Sequence, residues 1–253
     1  MRIDLNCDMG ESFGVYTTGD DEAVMRSITS ANVACGFHAG DPSVIRRTLR
    51  LAKAHGVAVG AHPGFPDLVG FGRREIQATA AEVEDAVLYQ VSALAGMAAA
   101  EGLTLQHVKA HGALYNMAVR DTALARGIAR AVVQFDRSLI LFGLPGSDLL
   151  TAGRAEGLSV AAEGFADRAY DPDGSLASRR TPGSVIHDAT RVVDRVLRMV
   201  RDRTVETTDG SMLSLDVATI CVHGDTPGAA DLVAKVKAGL EAAGVALTAV
   251  GAV

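Results

Sequence analysis

Apolar residues recur along the chain in short runs separated by longer segments of helical period. The runs near 3–8, 31–35, 57–61, 105–109, 139–143, 159–163 and 218–222, with a weaker one near 245–250, predict β-strands. Most are separated by one helical segment. A repeated punctuation supports this alternation: His55-Gly56-Val57, Glu101-Gly102-Leu103, Glu156-Gly157-Leu158 and Ala243-Gly244-Val245 each read as a helix ending at glycine and a strand beginning. Helix starts are legible too. Asp41-Pro42 supplies an N-cap and an N1 proline, Thr79 with Glu82 forms a capping box, and Asp121 precedes the helical stretch 122–134. A further helical stretch is predicted at 184–202, with His187 inside it.

Seven or eight strands alternating with helices specify a parallel α/β protein. The length and the absence of a second composition zone favour one domain over 1–253, folded as a closed or nearly closed barrel, with a doubly wound open sheet as the alternative. The polar, Gly- and Pro-containing segment 166–183 reads as a functional loop and not a boundary.

Composition narrows the function. With 48% hydrophobic and 21% charged residues the chain has material for a large core, and disorder is excluded. It contains no apolar run long enough to span a bilayer, and charges in MRIDLNCDMGE occupy the place of a signal's apolar segment, so the expected location is the cytoplasm. Cys7, Cys35 and Cys221 lack C-x-x-C spacing and suggest neither a disulfide framework nor a Cys-rich zinc site. A net charge of −6 without a basic stretch gives no footprint for nucleic acid or an anionic membrane, and leaves a small or peptide-like substrate.

Strand alternation then places the chemistry. Asp4, Asn6 and Asp8 share one face of the first strand and Ile3, Leu5 and Cys7 the other. A polar row inside a parallel barrel is costly unless it is hydrogen-bonded or serves a site; Asp4 and Asn6 can simply satisfy neighbouring groups, whereas Asp8 and Glu11 sit at the strand end. His107, Lys109 and His111 share a face of the fourth strand. A buried lysine needs an acid or an anionic ligand, so Lys109 and His111 are site candidates, while His107 reads equally well as a core histidine. His38, His62 and His223 end three further strands beside small residues. Asp41 and His55 have sufficient structural explanations as a cap and a helix C-terminal residue. Glu163, Asp167 and Arg168 lie at or after the sixth strand, and Arg179 and Arg180 in the long loop, where arginine can bind a carboxylate or phosphate. Asp8, His38 and His62 would make a divalent-metal triad, although no H-E-x-x-H spacing supports it. None of the four lysines follows glycine, which excludes a G-K-[ST] phosphate loop, and Ser12, Ser30 and Ser92 lack a nucleophile elbow.

The segments D-L-N-C-D-M-G-E (4–11), A-N-V-A-C-G-F-H-A-G-D (31–41), G-A-H-P-G-F-P-D (60–67), V-K-A-H-G-A-L-Y-N (108–116), E-G-F-A-D-R-A-Y (163–170) and C-V-H-G-D (221–225) together resemble the LamB/YcsF family. The resemblance implies a distorted (β/α)7 or (β/α)8 TIM-like barrel of the glycoside hydrolase and deacetylase type. It also implies one component of a 5-oxoprolinase, acting with two partners, of B and C type, to open 5-oxo-L-proline to L-glutamate while ATP is consumed by the complex. Phosphorylation of the lactam would fall to the partners and ring opening to this chain. On that reading Asp8 or Glu11 is the general base, Lys109 stabilises developing anionic charge, and His38, His62 or His111 protonates the ring nitrogen. Arg168 or Arg179 would hold the substrate carboxylate, with Asn6, Glu163, His223 and Asp225 completing the substrate site. The competing expectations are a stand-alone metal hydrolase using Asp8, His38 and His62, and a non-catalytic stabilising component.

Overall fold

A computed structural model describes residues 1–223 and 228–251. The apolar runs form β1 (Arg2–Met9), β2 (Ser30–Ala34), β3 (Ala58–His62), β4 (Leu105–Lys109), β5 (Ile140–Gly143) and β6 (Ser159–Phe165). After β6 an antiparallel pair, β7 (Thr204–Glu206) and β8 (Met212–Ser214), stands apart from the main sheet. The chain returns as β9 (Thr219–Cys221), and β10 (Ala246–Leu247) adds to the start of β1. Strands β1 to β6 pair in sequence and in parallel, and β9 pairs with both β6 and β1. That last ladder closes a barrel of seven parallel strands among the described residues and rules out the open sheet.

Helices α1 (Asp21–Met25), α2 (Pro42–His55), α3 (Ala80–Ala100), α4 (Gly112–Ala118), α5 (Thr122–Phe135), α6 (Asp148–Ala155), α7 (Ala189–Arg201) and α8 (Ala229–Ala242) fill the connections. The expected caps are present: Asp41 accepts from the Ser43 and Val44 amides, Thr79 and Glu82 form the reciprocal box, and Asp121 accepts from Ala123 and Leu124. The glycines of the repeated punctuation, Gly56, Gly102, Gly157 and Gly244, all have positive φ. Among the described residues no helix is long and apolar enough to cross a membrane.

Two expectations need correction. The stretch 184–202 is helical only from Ala189, because Asp188 caps the helix through the Arg191 amide and Val185 bridges to Arg168; His187 is exposed ahead of the helix. The β7–β8 pair has no counterpart among the predicted strands, since two three-residue strands are too short to carry a period.

The ladder registers set the inner face of the barrel. Asn6 and Asp8 align with Ser30 and Asn32, Asn32 with Gly60, Gly60 with His107, Lys109 with Phe142, and Glu163 with Thr219. Leu5, Cys7, Val33, Val108, Leu141 and Ile220 occupy the alternate positions and are wholly buried in the layer between strands and helices. The lumen is therefore polar and internally bonded. Asp4 accepts from Thr29 Oγ1 at 2.6 Å, Ser30 Oγ at 2.7 Å and Thr219 Oγ1 at 2.5 Å, and Asn6 Nδ2 donates to Thr219 Oγ1 at 2.7 Å. His107 bonds Asn32 Oδ1 through Nε2 at 2.7 Å and stacks on Phe142 with ring centroids 4.2 Å apart.

Gly60 makes room for that imidazole, because a Cβ there would lie 2.2 Å from the His107 ring. The ring is held by Asn32 and Phe142 and cannot swing aside cheaply. Gly60→Ala should lower stability by about 1–3 kcal/mol, the usual range for overpacking, as read from urea denaturation. Burial, with the Lys109 and His62 charges, pushes His107 down to about 3 from the ordinary 6.5. An unfolded chain therefore takes up a proton that the fold refuses, and stability present above pH 6.5 should be lost as the pH falls toward 3. The expected slope is about 1.4 kcal/mol per pH unit from this residue, and His107→Gln should flatten it in denaturation curves across that range.

Candidate functional site

The carboxyl ends of the strands open into one cavity of about 1060 Å³, lined among others by Asp8, Glu11, His62, Lys109, His111, Tyr115, Phe165, Arg168, Arg179 and His223. The residue alternation that buries Leu5 and Cys7 outward delivers Asp8 to the cavity floor, and the turn at Gly10 brings Glu11 beside it. This is the end of a parallel barrel at which loops from several strands converge on one point.

Lys109 is the centre of the floor. It is 2% exposed, and its Nζ lies 2.9 Å from Asp8 Oδ1, 2.8 Å from Glu163 Oε1, 3.1 Å from Cys221 Sγ and 3.4 Å from Asn6 Oδ1. Burial opposes its charge, but Asp8 and Glu163 outweigh burial and hold the ammonium well above its usual pKa. Asp8 is the converse. Burial would raise its pKa, yet His62 and Lys109 hold the carboxyl well below the ordinary range. The same oxygen that meets Lys109 accepts from Asn32 Nδ2 at 2.8 Å, while Oδ2 lies 3.2 Å from His62 Nε2. Cys221 is pushed well up by burial and stays a thiol.

Beside this pair stands a second group. His62 Nδ1 bonds the Lys109 carbonyl at 2.8 Å, His111 Nε2 bonds the Phe71 carbonyl at 2.8 Å, and His62 Nε2 faces His111 Nδ1 at 2.9 Å. Glu11 Oε1 is 3.5 Å from His111 Nδ1 and 3.8 Å from His38 Nε2. His38 lies face to face with His111, centroids 3.7 Å apart and planes within 1°. Burial, reinforced for His38 by His62 and for His111 by His38 and His62, keeps both rings well below the usual histidine pKa and so neutral. Glycine is required around them: Gly72, at φ 64°, would place a Cβ 2.8 Å from both His111 and His38. The preceding Phe71 is also left-handed, at φ 55°, an uncommon conformation for a bulky residue, and it presents its carbonyl to His111.

On the opposite wall, His223 Nδ1 bonds Asp167 Oδ1 at 2.8 Å and stacks on Phe165 with centroids 5.7 Å apart. Burial would raise the Asp167 carboxyl, but His223 holds it below the ordinary value. Arg168 donates through Nη2 to the Ala177 carbonyl at 2.6 Å, and its buried Nε has no hydrogen-bond partner. Burial, with Arg179 nearby, lowers its pKa to about 10.

Among the described residues, two groups bring potential metal ligands within 4.8 Å of one another: Glu11, His38, His62 and His111, and separately Asp8, Cys221 and His223. Of the expected triad, His38 and His62 fall in the first group and Asp8 in the second, although Asp8 Oδ2 lies 3.2 Å from His62 Nε2. In the second group the Lys109 ammonium already meets Asp8 and Cys221, which leaves that place poorly suited to another cation.

The structure brings Asn6, Asp8, Glu11, His38, His62, Lys109, His111, Glu163, Arg168, Arg179 and His223 to the barrel's carboxyl end or its lumen. Asn6 and Glu163 serve the floor from within the lumen, where they touch Lys109. Asp225 lies outside the described residues. Asp167 stands out in the sequence only as a neighbour of Arg168; its pairing with His223 joins positions 56 residues apart, and no local spacing announces it. Tyr115, whose phenol is pushed well up by burial and by Glu163, carries no sequence signal of its own either.

The LamB/YcsF family model matches residues 3–253. The chain is 56% identical to the 5-oxoprolinase A subunit of Tolumonas auensis over 98% of this chain and 99% of that protein, and 51% identical to the corresponding 5-oxoprolinase protein of Pyrococcus furiosus over 99% and 98%. The crystal structure of the lactam utilization protein from Thermus thermophilus superposes with a TM-score of 0.94 at 50% identity, covering 98% of this chain and 100% of that one. A putative cellobiose-phosphate cleavage protein from Enterococcus faecalis V583 shares the fold alone, with a TM-score of 0.56 at 14% identity over 98% and 96% of the two chains. With its motifs in order around one cavity and the match running almost end to end, the chain belongs to the LamB/YcsF family.

Proposed function

We propose that this chain is the ring-opening component of an ATP-consuming hydrolase that converts 5-oxo-L-proline to L-glutamate, working in the cytoplasm with two partner proteins that phosphorylate the lactam oxygen. The observation that carries the reading is the buried Lys109 ammonium, fixed between Asp8 and Glu163 at the floor of a cavity whose relatives are named for 5-oxoproline and lactam chemistry. The absence of a G-K-[ST] loop supports assigning the nucleotide to the partners.

Amide resonance makes the lactam carbonyl a poor electrophile, and phosphorylating its oxygen removes that resonance. Water adding to the same carbon gives an adduct that bears a hydroxyl, a phosphate ester and the ring amine. Loss of phosphate would only regenerate lactam and waste the ATP. Cleavage of the carbon–nitrogen bond, with a proton delivered to nitrogen, opens the ring to a γ-glutamyl phosphate, and a second water releases phosphate and glutamate. The enzyme must therefore favour protonation of nitrogen over loss of phosphate.

This requirement distributes the roles. Lys109 faces the anionic phosphorylated carbonyl, as an oxyanion-stabilising cation does. Asp8, held far below the pH of operation by His62 and Lys109 against the cost of its burial, is a weak base and acts mainly to position them. Glu11 is the better-placed carboxylate for accepting a proton from water. His38 and His111 are kept neutral by burial and are poor acids. His223 gives Nδ1–H to Asp167 and leaves Nε2 for the substrate, which suits it to protonate the ring nitrogen. Arg168, with its unpaired Nε, and Arg179 are suited to the substrate carboxylate.

With the partner proteins added, Lys109→Met should lower glutamate formation by about 100-fold or more, the cost typical of losing a transition-state charge partner. An unchanged rate would remove Lys109 from the mechanism. His223→Gln should separate the two outputs, so that ATP is hydrolysed in excess of the glutamate formed. If both fall in equal proportion, His223 is not the acid.

A further inference from the structure

We propose that Glu11, His62 and His111 form a binding site for one divalent transition-metal ion at the edge of the cavity. The strongest support is how the two histidines are held. A metal-ligating imidazole characteristically donates its other N–H to a carbonyl or carboxylate, which fixes the tautomer and leaves the ligating lone pair facing the ion. His62 does this through Nδ1 to the Lys109 carbonyl and His111 through Nε2 to the Phe71 carbonyl, each at 2.8 Å. Backbone carbonyls are acceptors, so those two nitrogens carry the hydrogens and the remaining two, His62 Nε2 and His111 Nδ1, face each other at 2.9 Å. Lone pairs on both at that separation repel, so a cation lies beside both: a proton on His62 Nε2, which would also meet Asp8 Oδ2 at 3.2 Å, or a metal ion, which alone would serve Glu11 as well. Nitrogens bound at about 2.1 Å to one ion and roughly at right angles lie about 3 Å apart, which matches the observed spacing.

Glu11 Oε1, 3.5 Å from His111 Nδ1, adds the anionic oxygen, and the cavity supplies the open side. His38 belongs to the same cluster but not to the ligand set. Its ring is parallel to His111 at 3.7 Å, so the in-plane lone pairs of the two rings cannot converge on one point. Both His38 ring nitrogens are buried without hydrogen-bond partners, a deficit that a water carried by an ion beside Glu11 would relieve. Two imidazoles and a carboxylate favour Zn²⁺, Mn²⁺, Fe²⁺, Co²⁺ or Ni²⁺ over Mg²⁺ or Ca²⁺. The assignment does not rest on the lactam reaction, because it follows from the donors alone.

The test uses the untagged full-length chain, stripped with chelator and then titrated with Zn²⁺, Mn²⁺ and Co²⁺ by calorimetry, with bound metal counted by elemental analysis. One ion per chain is expected. Glu11→Gln and His111→Ala should each weaken binding at least tenfold, and the visible absorption of the Co²⁺-loaded protein should disappear in His111→Ala. Cys221→Ser, which alters the neighbouring Asp8–Cys221–His223 group, should leave the affinity unchanged. Circular dichroism and thermal melting establish that each variant is folded, and Co²⁺ absorption in Glu11→Gln gives a second reading if His111→Ala is not. Absence of stoichiometric binding by the folded wild-type chain would overturn the proposal, with the 2.9 Å contact then a shared proton. Loss of binding in Cys221→Ser but not in Glu11→Gln would overturn it as well.

Discussion

A charged lysine inside the barrel is the constraint from which the rest of the site follows. Taking an ammonium out of water is costly, and it stays ionised only where acids surround it. Asp8 and Glu163 provide that surrounding from β1 and β6, two strands linked through β9. Removing either acid would leave a buried cation undercompensated, so the pair cannot drift independently of the strands that carry them. Asp8 in turn reaches His62, and His62 reaches His111. The buried lysine and its two acids thereby fix the orientation of side chains on four strands and their following loops.

The barrel lumen is organised by the same need for satisfaction. Its polar groups bond one another in layers: Asp4 with the hydroxyls of Thr29, Ser30 and Thr219 at one end, Asn6 with Asn32 and Thr219 in the middle, and Asp8 with Asn32 and Lys109 toward the cavity. Such networks stabilise only when they are nearly complete, which explains why a lumen lined with hydroxyls and amides coexists with a mainly apolar layer outside it.

Much of this is legible in the sequence because it depends on short periods. The alternation of Asp4, Asn6 and Asp8, the histidines at strand ends and the glycine punctuation all arise from two- or four-residue regularities that a single strand or helix end imposes. The barrel is legible as an expectation for the same reason, although its closure requires the register of β1 with β9. The pairings between distant segments are not legible. Nothing local joins Asp167 to His223 or places His107 over Gly60; both are set by how neighbouring strands are staggered. The β7–β8 pair and the late start of α7 escape a periodic reading because turns and single caps define them.

The closing ladder has a consequence for how the protein is made. Asp4 depends on Thr219, a hydrogen bond spanning 215 residues, and the first strand finds one of its neighbours only when β9 has left the ribosome. Until then β1 and β6 are free edges, and the polar lumen is a gutter open to water. Contacts of such separation in sequence form late and slow assembly. A polar lumen suits that delay, because an unfinished gutter lined with carboxylates and hydroxyls is hydrated, where an apolar one would expose sticky surface throughout synthesis.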